Sequence, residues 1–417
     1  MRQILDLHIH SRYSRACSPS LTLVNIEKAC RAKGVDIIAT GDFTHPVWFE
    51  SIKNELTETA PNSGLYKLKR AADDKIKFIL STEVALIYKD MEKVRRIHLV
   101  VHAPNIAAAE KLNKVLAKKY NIHSDGRPIL GIKAPEFVKL VLGIDAKFLV
   151  YPAHIWTPWF SVFGSKSGFD KLEDCFKDQT KHIYAYETGL SSDPEMNWRL
   201  SALDKLTLLS NSDAHSTRNI AREANMMEIS EPSTYQKIYD NIKNKSGMIS
   251  TLEFYPEEGM YHYDGHRDCK FSCEPAESRK LKHICPVCHK PLVIGVLSRV
   301  EELADRPVGY KPKNALGFKK LVELDKIIAE ALNIKSRNSV AVIKEYNLWL
   351  ERYGSELNIL MDLDLASVGS ELDYRVREGI EKMRAAQLII KPGFDGQYGE
   401  VRIFSEVEGA ARQNKLL

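Results

Sequence analysis

Seven short apolar runs in the first half of the chain each close on a histidine, an aspartate or a glutamate, at residues 4–10, 35–42, 77–83, 97–102, 148–154, 183–187 and 206–215. The candidate ligands among them are His8 and His10, the pair Asp42 and His45, then Glu83, His98 and His154, and finally Asp213 and His215 within Ser-Asp-Ala-His. Any one alone reads as an ordinary core histidine or a surface acid. Gathered and buried together without a cation, they would each cost several kcal/mol. Imidazole plus carboxylate, with no thiolate in the set, suits zinc, with manganese, magnesium or iron also compatible. Two or three such cations side by side lower the pKa of a shared water and stabilise attacking and leaving oxygens at phosphorus, which points to phosphoester hydrolysis. Asp213, Glu83, His8 and His215 are the residues expected nearest that chemistry.

Those side chains need a scaffold that brings distant segments to one place. Runs of Val, Ile, Leu and Phe separated by helix-like stretches read as buried parallel strands. The expected fold is α/β, a distorted seven-stranded β/α barrel in which the carboxyl ends of the strands converge on one mouth. His8 and His10, two residues apart on a strand, must point to the same side, and so must Asp213 and His215. Residues 22–33 carry helical spacing and stop at Gly34, and residues 107–119 read as another helix.

A second metal site stands out further along. Cys269-x-x-x-Cys273 and Cys285-x-x-Cys288 are separated by eleven residues and can close a tetrahedral four-thiolate site, with zinc the expected occupant and a structural role. A pair of disulfides is the duller reading, but Cys17, Cys30 and Cys175 are scattered and no secretion signal precedes them. His266, His283 and His289 lie close enough in sequence to replace a ligand.

Composition bounds the rest. The chain has 417 residues, 44% of them hydrophobic, a net charge of +5 and a pI near 8.6. Residues 266–320 hold twelve Lys or Arg against six Asp or Glu, and residues 90–139 ten against five. Such basic regions suit a phosphate backbone, although a charge run is usually a solvated face. The start of the chain lacks a signal-peptide core and no apolar run approaches a membrane span, so a cytoplasmic location without membrane attachment is expected. Three units are expected: a metallohydrolase barrel over residues 1–255, a four-cysteine zinc module over 256–300, and a helical DNA-binding tail over 301–417 with helices near 316–332, 340–353 and 373–388.

Motif by motif, residues 1 to about 255 resemble the PHP (polymerase and histidinol phosphatase) superfamily. The resemblance implies that His8, His10, Glu83 and Asp213 hold one metal, Glu83 with His98 and His154 a second, and Asp42, His45 and His215 a third, Glu83 bridging. His98 is preferred to His102, which is expected behind the ligands. The order of barrel, four-cysteine knuckle, Pro-Lys link, helical tail and Pro-Gly-Phe-Asp-Gly-Gln-Tyr-Gly stretch resembles the endonuclease Q family over essentially the full length. That resemblance implies a DNA repair enzyme that cuts double-stranded DNA immediately 5′ of deaminated bases such as uracil, hypoxanthine and xanthine, and of abasic sites, and that is associated with the nucleoid.

Enzymes that inspect a base rotate it out of the stack and test its edge between aromatic walls. Trp156 and Trp159, with Phe160 and Phe163, follow His154, and Trp48 and Phe49 follow His45, which makes them candidates for such walls or for ordinary core. His123 and Arg127 in His-Ser-Asp-Gly-Arg, Glu187, Ser191 and Ser192 after the sixth strand, and Asn197, Arg199, Arg218 and Arg222 around the last ligands are the further substrate-side candidates. The final residues Gln413 to Leu417 loosely fit a sliding-clamp ligand. Two other readings compete: a PHP exonuclease or small-molecule phosphatase, and a nucleic-acid-binding scaffold whose metals are only structural. The knuckle and tail have no obvious use on a small substrate, and all nine ligand positions are filled.

Overall fold

The computed structural model describes residues 1–90, 92–369 and 372–405 of an α/β fold. Arg2–Asp6 lies at the heart of its largest sheet, parallel to Ile37–Ala39, which is in turn parallel to Lys77–Ile79. On its other side Arg2–Asp6 pairs antiparallel with Ala224–Glu228, which pairs antiparallel with Met248–Glu253. Four of the five residues of Arg2–Asp6 are buried, as both faces of the sheet are covered.

Each of the seven expected runs contains a strand, but their ladders divide into separate sheets, so the single ring of parallel strands is not how the hydrogen bonds run. Ser81–Asp90 and Lys93–His102 make a long antiparallel hairpin, and Leu149–Pro152 adds antiparallel to its second strand. Ala185–Glu187 and Thr207–Leu209 form a parallel pair of their own. The hairpin matters for the site: Ala85 stands opposite His98, and Glu83 is two residues from Ala85, so Glu83 and His98 share one face.

Helix Leu23–Lys33 follows the expected span, its Thr22 hydroxyl accepting from the Asn25 N–H and Gly34 closing it. The segment expected as a helix over 316–332 is divided: Gly317–Lys320 is a strand that adds parallel to Met248–Glu253, and only Leu324–Ala331 is helical. Three further helices, Val340–Tyr353, Glu356–Met361 and Tyr374–Arg384, follow. They share one apolar core with the sheets, running from Ile4 to Phe404, and the buried Lys33 ammonium meets Glu356 at 2.8 Å across the junction. A second, small apolar cluster of Cys273, Cys285 and Leu292 sits under the hairpin of Asp264–His266 and Phe271–Cys273. Among the described residues no helix is long and apolar enough to cross a membrane. The clamp-like segment from Gln413 to Leu417 lies outside the described residues.

Candidate metal centre and active site

His8 and His10 leave the end of Arg2–Asp6 on the same side, and the Asp213 loop is drawn to them by the His10 N–H, which donates to the Ala214 carbonyl at 3.1 Å. Each imidazole is held from behind by a buried carboxylate. His8 Nδ1 lies 3.1 Å from both oxygens of Glu187, and His10 Nδ1 lies 3.0 Å from Asp42 Oδ1. Binding at Nδ1 fixes the tautomer and turns both Nε2 atoms forward. There they converge with Asp213 Oδ1, which is 3.8 Å from His8 Nε2 and 3.1 Å from His10 Nε2. These three buried atoms have no hydrogen-bond partner. Leaving them so costs about 1–3 kcal/mol apiece, which is the signature of a donor set shaped for a cation rather than for itself.

A second donor group adjoins the first. Glu83 Oε1 is 2.8 Å from His98 Nδ1 and 3.1 Å from His154 Nε2, while its Oε2 faces His10 Nε2 at 3.3 Å and His8 Nε2 at 3.8 Å. Two groups are thus formed, the ligand atoms within each lying within 4.8 Å of one another: His8, His10 and Asp213, and Glu83, His98 and His154, with Glu83 of the second facing the first. Burial pushes the His98 imidazole down to about 4, so it is neutral and ready to bind a cation at neutral pH. Burial also works against ionising Glu83, but the neighbouring His98 and Arg127 and the close approach of His10 and His154 outweigh it and hold the carboxyl well below its usual range. His102 faces elsewhere, its Nε2 against the Tyr151 hydroxyl at 3.1 Å.

The third expected group is not assembled. Asp42 is consumed by His10, by the Ser11 amide at 2.6 Å, and by the Ser11 and Ser14 hydroxyls at 2.7 and 2.8 Å, which saturates its Oδ2. His45 donates from Nε2 to the His123 carbonyl at 3.2 Å and stacks on Tyr13. His215 turns Nδ1 to the Asp213 carbonyl at 2.8 Å and packs its ring on His10.

The knuckle also departs from expectation. Its close ligand group is His266, Cys269, Cys285 and Cys288, three thiols and an imidazole. Cys273 lies outside that group: it pairs across the hairpin with Asp264, one pleat repeat along from the His266 and Phe271 pair, and packs with Cys285 and Leu292.

Comparison with known proteins settles the family. The crystal structure of the lesion-specific endonuclease PfuEndoQ from Pyrococcus furiosus superposes with a TM-score of 0.84 at 31% identity, covering 98% of this chain and 96% of that one. The chain belongs to the endonuclease Q family. A crystal structure of endonuclease Q in complex with a 27-mer duplex substrate, an abasic lesion at its active site, matches with the same TM-score of 0.84 at 31% identity over 98% of each chain. The family model described as the MJ0043 C-terminal domain matches residues 323–387. Protein MJ0043 of Methanocaldococcus jannaschii is 30% identical over 251 residues, and the chain spans only 31% of the length of that relative. Protein YqxK of Bacillus subtilis is 26% identical over 312 residues, 73% of this chain and 74% of its own.

Against this endonuclease Q frame, several substrate-side expectations become structural. Glu187 is fully buried behind His8 and also accepts from the His154 amide at 2.9 Å and the Asn211 side chain at 2.8 Å, so it cannot reach a base edge. Trp156 is fully buried and donates to Asn197 Oδ1 at 2.8 Å; Asn197 in turn donates to Ser192 Oγ at 3.0 Å, and Ser192 to the Thr188 carbonyl at 2.9 Å. This chain of bonds is internal to the loop. Trp48, Phe49 and Phe163 are likewise core. Arg199 is buried and pairs with Glu301 at 2.8 Å, and Arg218 pairs with Asp325 at 3.1 Å, each tying the sheets to later elements. Arg222 donates to the Ser212 carbonyl at 2.9 Å and the Asp213 carbonyl at 3.3 Å, bracing the Asp213 loop.

Four candidates remain on open ground. Arg127 meets Glu83 Oε2 at 3.0 Å and is half-buried; Trp159 is 37% exposed; His123 is exposed and Ser191 half-buried. Sequence reasoning passed over Ser11, Ser14 and Asn211, and offered His266 only as a substitute ligand. Ser11 and Ser14 follow His10 within one turn and had that much signal; Asn211, which also accepts from the Leu7 N–H at 2.9 Å, had none.

Proposed function

We propose that the protein hydrolyses the DNA phosphodiester bond immediately 5′ of deaminated bases, uracil, hypoxanthine and xanthine, and of abasic sites, leaving a 3′-hydroxyl and a 5′-phosphate. It is a metal-dependent nuclease of DNA repair, acting at a damaged-base lesion. The observation that carries the chemistry is Glu83, one buried carboxylate facing two adjacent donor groups with three orphaned polar atoms on one side.

His8, His10 and Asp213 would hold one divalent cation, His98 and His154 a second, with Glu83 shared. Zinc is the first choice, with manganese, magnesium and iron compatible with the same donors. When bound, such cations would supply Lewis-acid charge to a phosphodiester and lower the pKa of a bound water. The chain's own residues do the remainder. Glu187 and Asp42 orient the two imidazoles, Arg222 fixes the loop that presents Asp213, and Arg127 sets a guanidinium beside Glu83 where a phosphate oxygen can be received. Trp159, His123 and Ser191 are the surface residues read as contacting the strand around an extruded base. A zinc ion at the His266, Cys269, Cys285 and Cys288 group would stiffen a module too small to fold on its core alone.

The reading takes residues 1–255 as the distorted barrel, 256–300 as the zinc module and 301–417 as a helical unit that holds duplex DNA. A clamp contact through Gln413 to Leu417 is the outermost part of it. The test is a duplex labelled at one 5′ end and carrying a single uracil or hypoxanthine. One cut 5′ of the lesion, lost with chelator and with Asp213→Ala, is expected. A ladder would make it an exonuclease, and retention without cutting a binding protein.

A further inference from the structure

The turn at residues 392–399, Pro-Gly-Phe-Asp-Gly-Gln-Tyr-Gly, takes no part in the chemistry above. It is bolted to the segment 257–263: Gly393 donates to the Glu257 carbonyl at 2.8 Å, Gly396 to Met260 at 3.0 Å, Gly399 to Glu258 at 3.0 Å, and Tyr263 donates back to Gly393 at 3.0 Å. The backbones come so close that a Cβ at Gly393 would strike the Gly259 carbonyl and one at Gly399 the Glu257 carbonyl. Only glycine permits that approach. On this stiff mount Tyr398 stands 77% exposed, a ring that no folding requirement places in water.

Its surroundings lead toward the metal centre. Tyr261 Oη and Arg267 Nη1 lie 3.7 and 3.5 Å from where a Cβ of residue 396 would be, beside the same turn. Tyr261 meets the half-exposed Trp159 ring edge-on, centroids 5.6 Å apart. The Thr157 hydroxyl in turn bonds the Trp159 carbonyl at 2.9 Å and Nδ1 of His154 at 3.0 Å. Arg267 is exposed, and among the described residues its guanidinium makes no ion pair, only its backbone N–H going to Asp395 at 2.7 Å. The exposed rings of Tyr398 and Trp159, with the half-buried Tyr261 and an uncommitted cation near the same turn, are the two ingredients of a nucleic-acid stacking platform.

We infer that Tyr398, with Tyr261 and Trp159, forms an aromatic rail on which bases next to the lesion stack, while Arg267 takes a flanking phosphate. This rests on the reading of the protein as a lesion-directed endonuclease, and it adds a positioning surface outside the metal centre. Such a surface holds the strand rather than reacting with it, so its loss falls on KM and not on the chemical step.

The test uses the full-length protein and a duplex with one uracil and 2-aminopurine as its neighbouring base. With wild type, binding changes the 2-aminopurine emission, Tyr398→Ala loses that change and raises KM about tenfold, and Tyr398→Phe behaves as wild type because the ring and not the hydroxyl is needed. Unchanged zinc content and melting temperature of Tyr398→Ala exclude misfolding. If wild type cuts the duplex and Tyr398→Ala matches it, or if Tyr398→Phe is as damaged as Tyr398→Ala, the assignment of the rail is wrong. If wild type neither binds nor cuts such duplexes, the underlying reading fails and takes this one with it.

Discussion

Glu187 grips His8 by both carboxylate oxygens, each 3.1 Å from Nδ1, across 179 residues of sequence. Asp42 holds His10 through one oxygen, Oδ1 at 3.0 Å from Nδ1, across 32 residues. Two candidate ligands of one cation thus owe their tautomer and direction to carboxylates standing behind them.

Glu187→Gln keeps the shape but replaces an acceptor with an amide that need not hold His8 in the required tautomer. Metal affinity or activity is expected to fall about 10–100-fold. Titrating the apo protein with zinc or manganese and measuring cleavage at saturating metal checks it. An unchanged affinity together with an unchanged rate would remove Glu187 from the site.

Glu253 offers a pH test away from the cations. It is fully buried with Glu223 near it, and burial pushes its carboxyl up to about 8. The unfolded chain has the ordinary, lower acid value, so between the two the folded protein keeps a proton that the unfolded one has released. Stability is therefore expected to fall as pH rises toward about 8. Melting curves across that window should decline by several degrees for wild type and less for Glu253→Gln. Parallel curves for the two proteins would contradict the assignment.

The knuckle separates His266 from Cys273. His266→Ala and Cys285→Ser are expected to lose the zinc, and Cys273→Ala to retain it, because only the first two belong to the close ligand group. Elemental analysis of the purified variants decides this. Zinc lost from Cys273→Ala and kept in His266→Ala would restore four thiolates.

The two tryptophans after His154 should part company. Trp156 is wholly enclosed, so Trp156→Ala should cost about 3–5 kcal/mol of stability. Trp159→Ala should leave stability within about 0.5 kcal/mol and weaken binding of the lesion duplex. Denaturant titration and a binding isotherm on each variant would expose the reverse assignment.

What could be read from the chain by itself was local. Alternation past a strand end puts His8 with His10, and helix caps such as Thr22 and Gly34 act within one turn, so residue types and short spacings sufficed for naming candidate ligands and for the family resemblance. What only the tertiary structure decided was long-range. Whether Glu187 meets a base or an imidazole depends on which segment lies behind His8, and no spacing encodes that. The hairpin register sets Glu83 opposite Val100 with His98 and His102 each two residues along on the same face, so what chooses between them is packing: His98 reaches Glu83 at 2.8 Å while His102 is held by the Tyr151 hydroxyl. Tryptophan and asparagine near a ligand look alike in sequence whether they line a mouth or fill a core, and only packing, which sums contacts from many distant segments, tells Trp156 from Trp159.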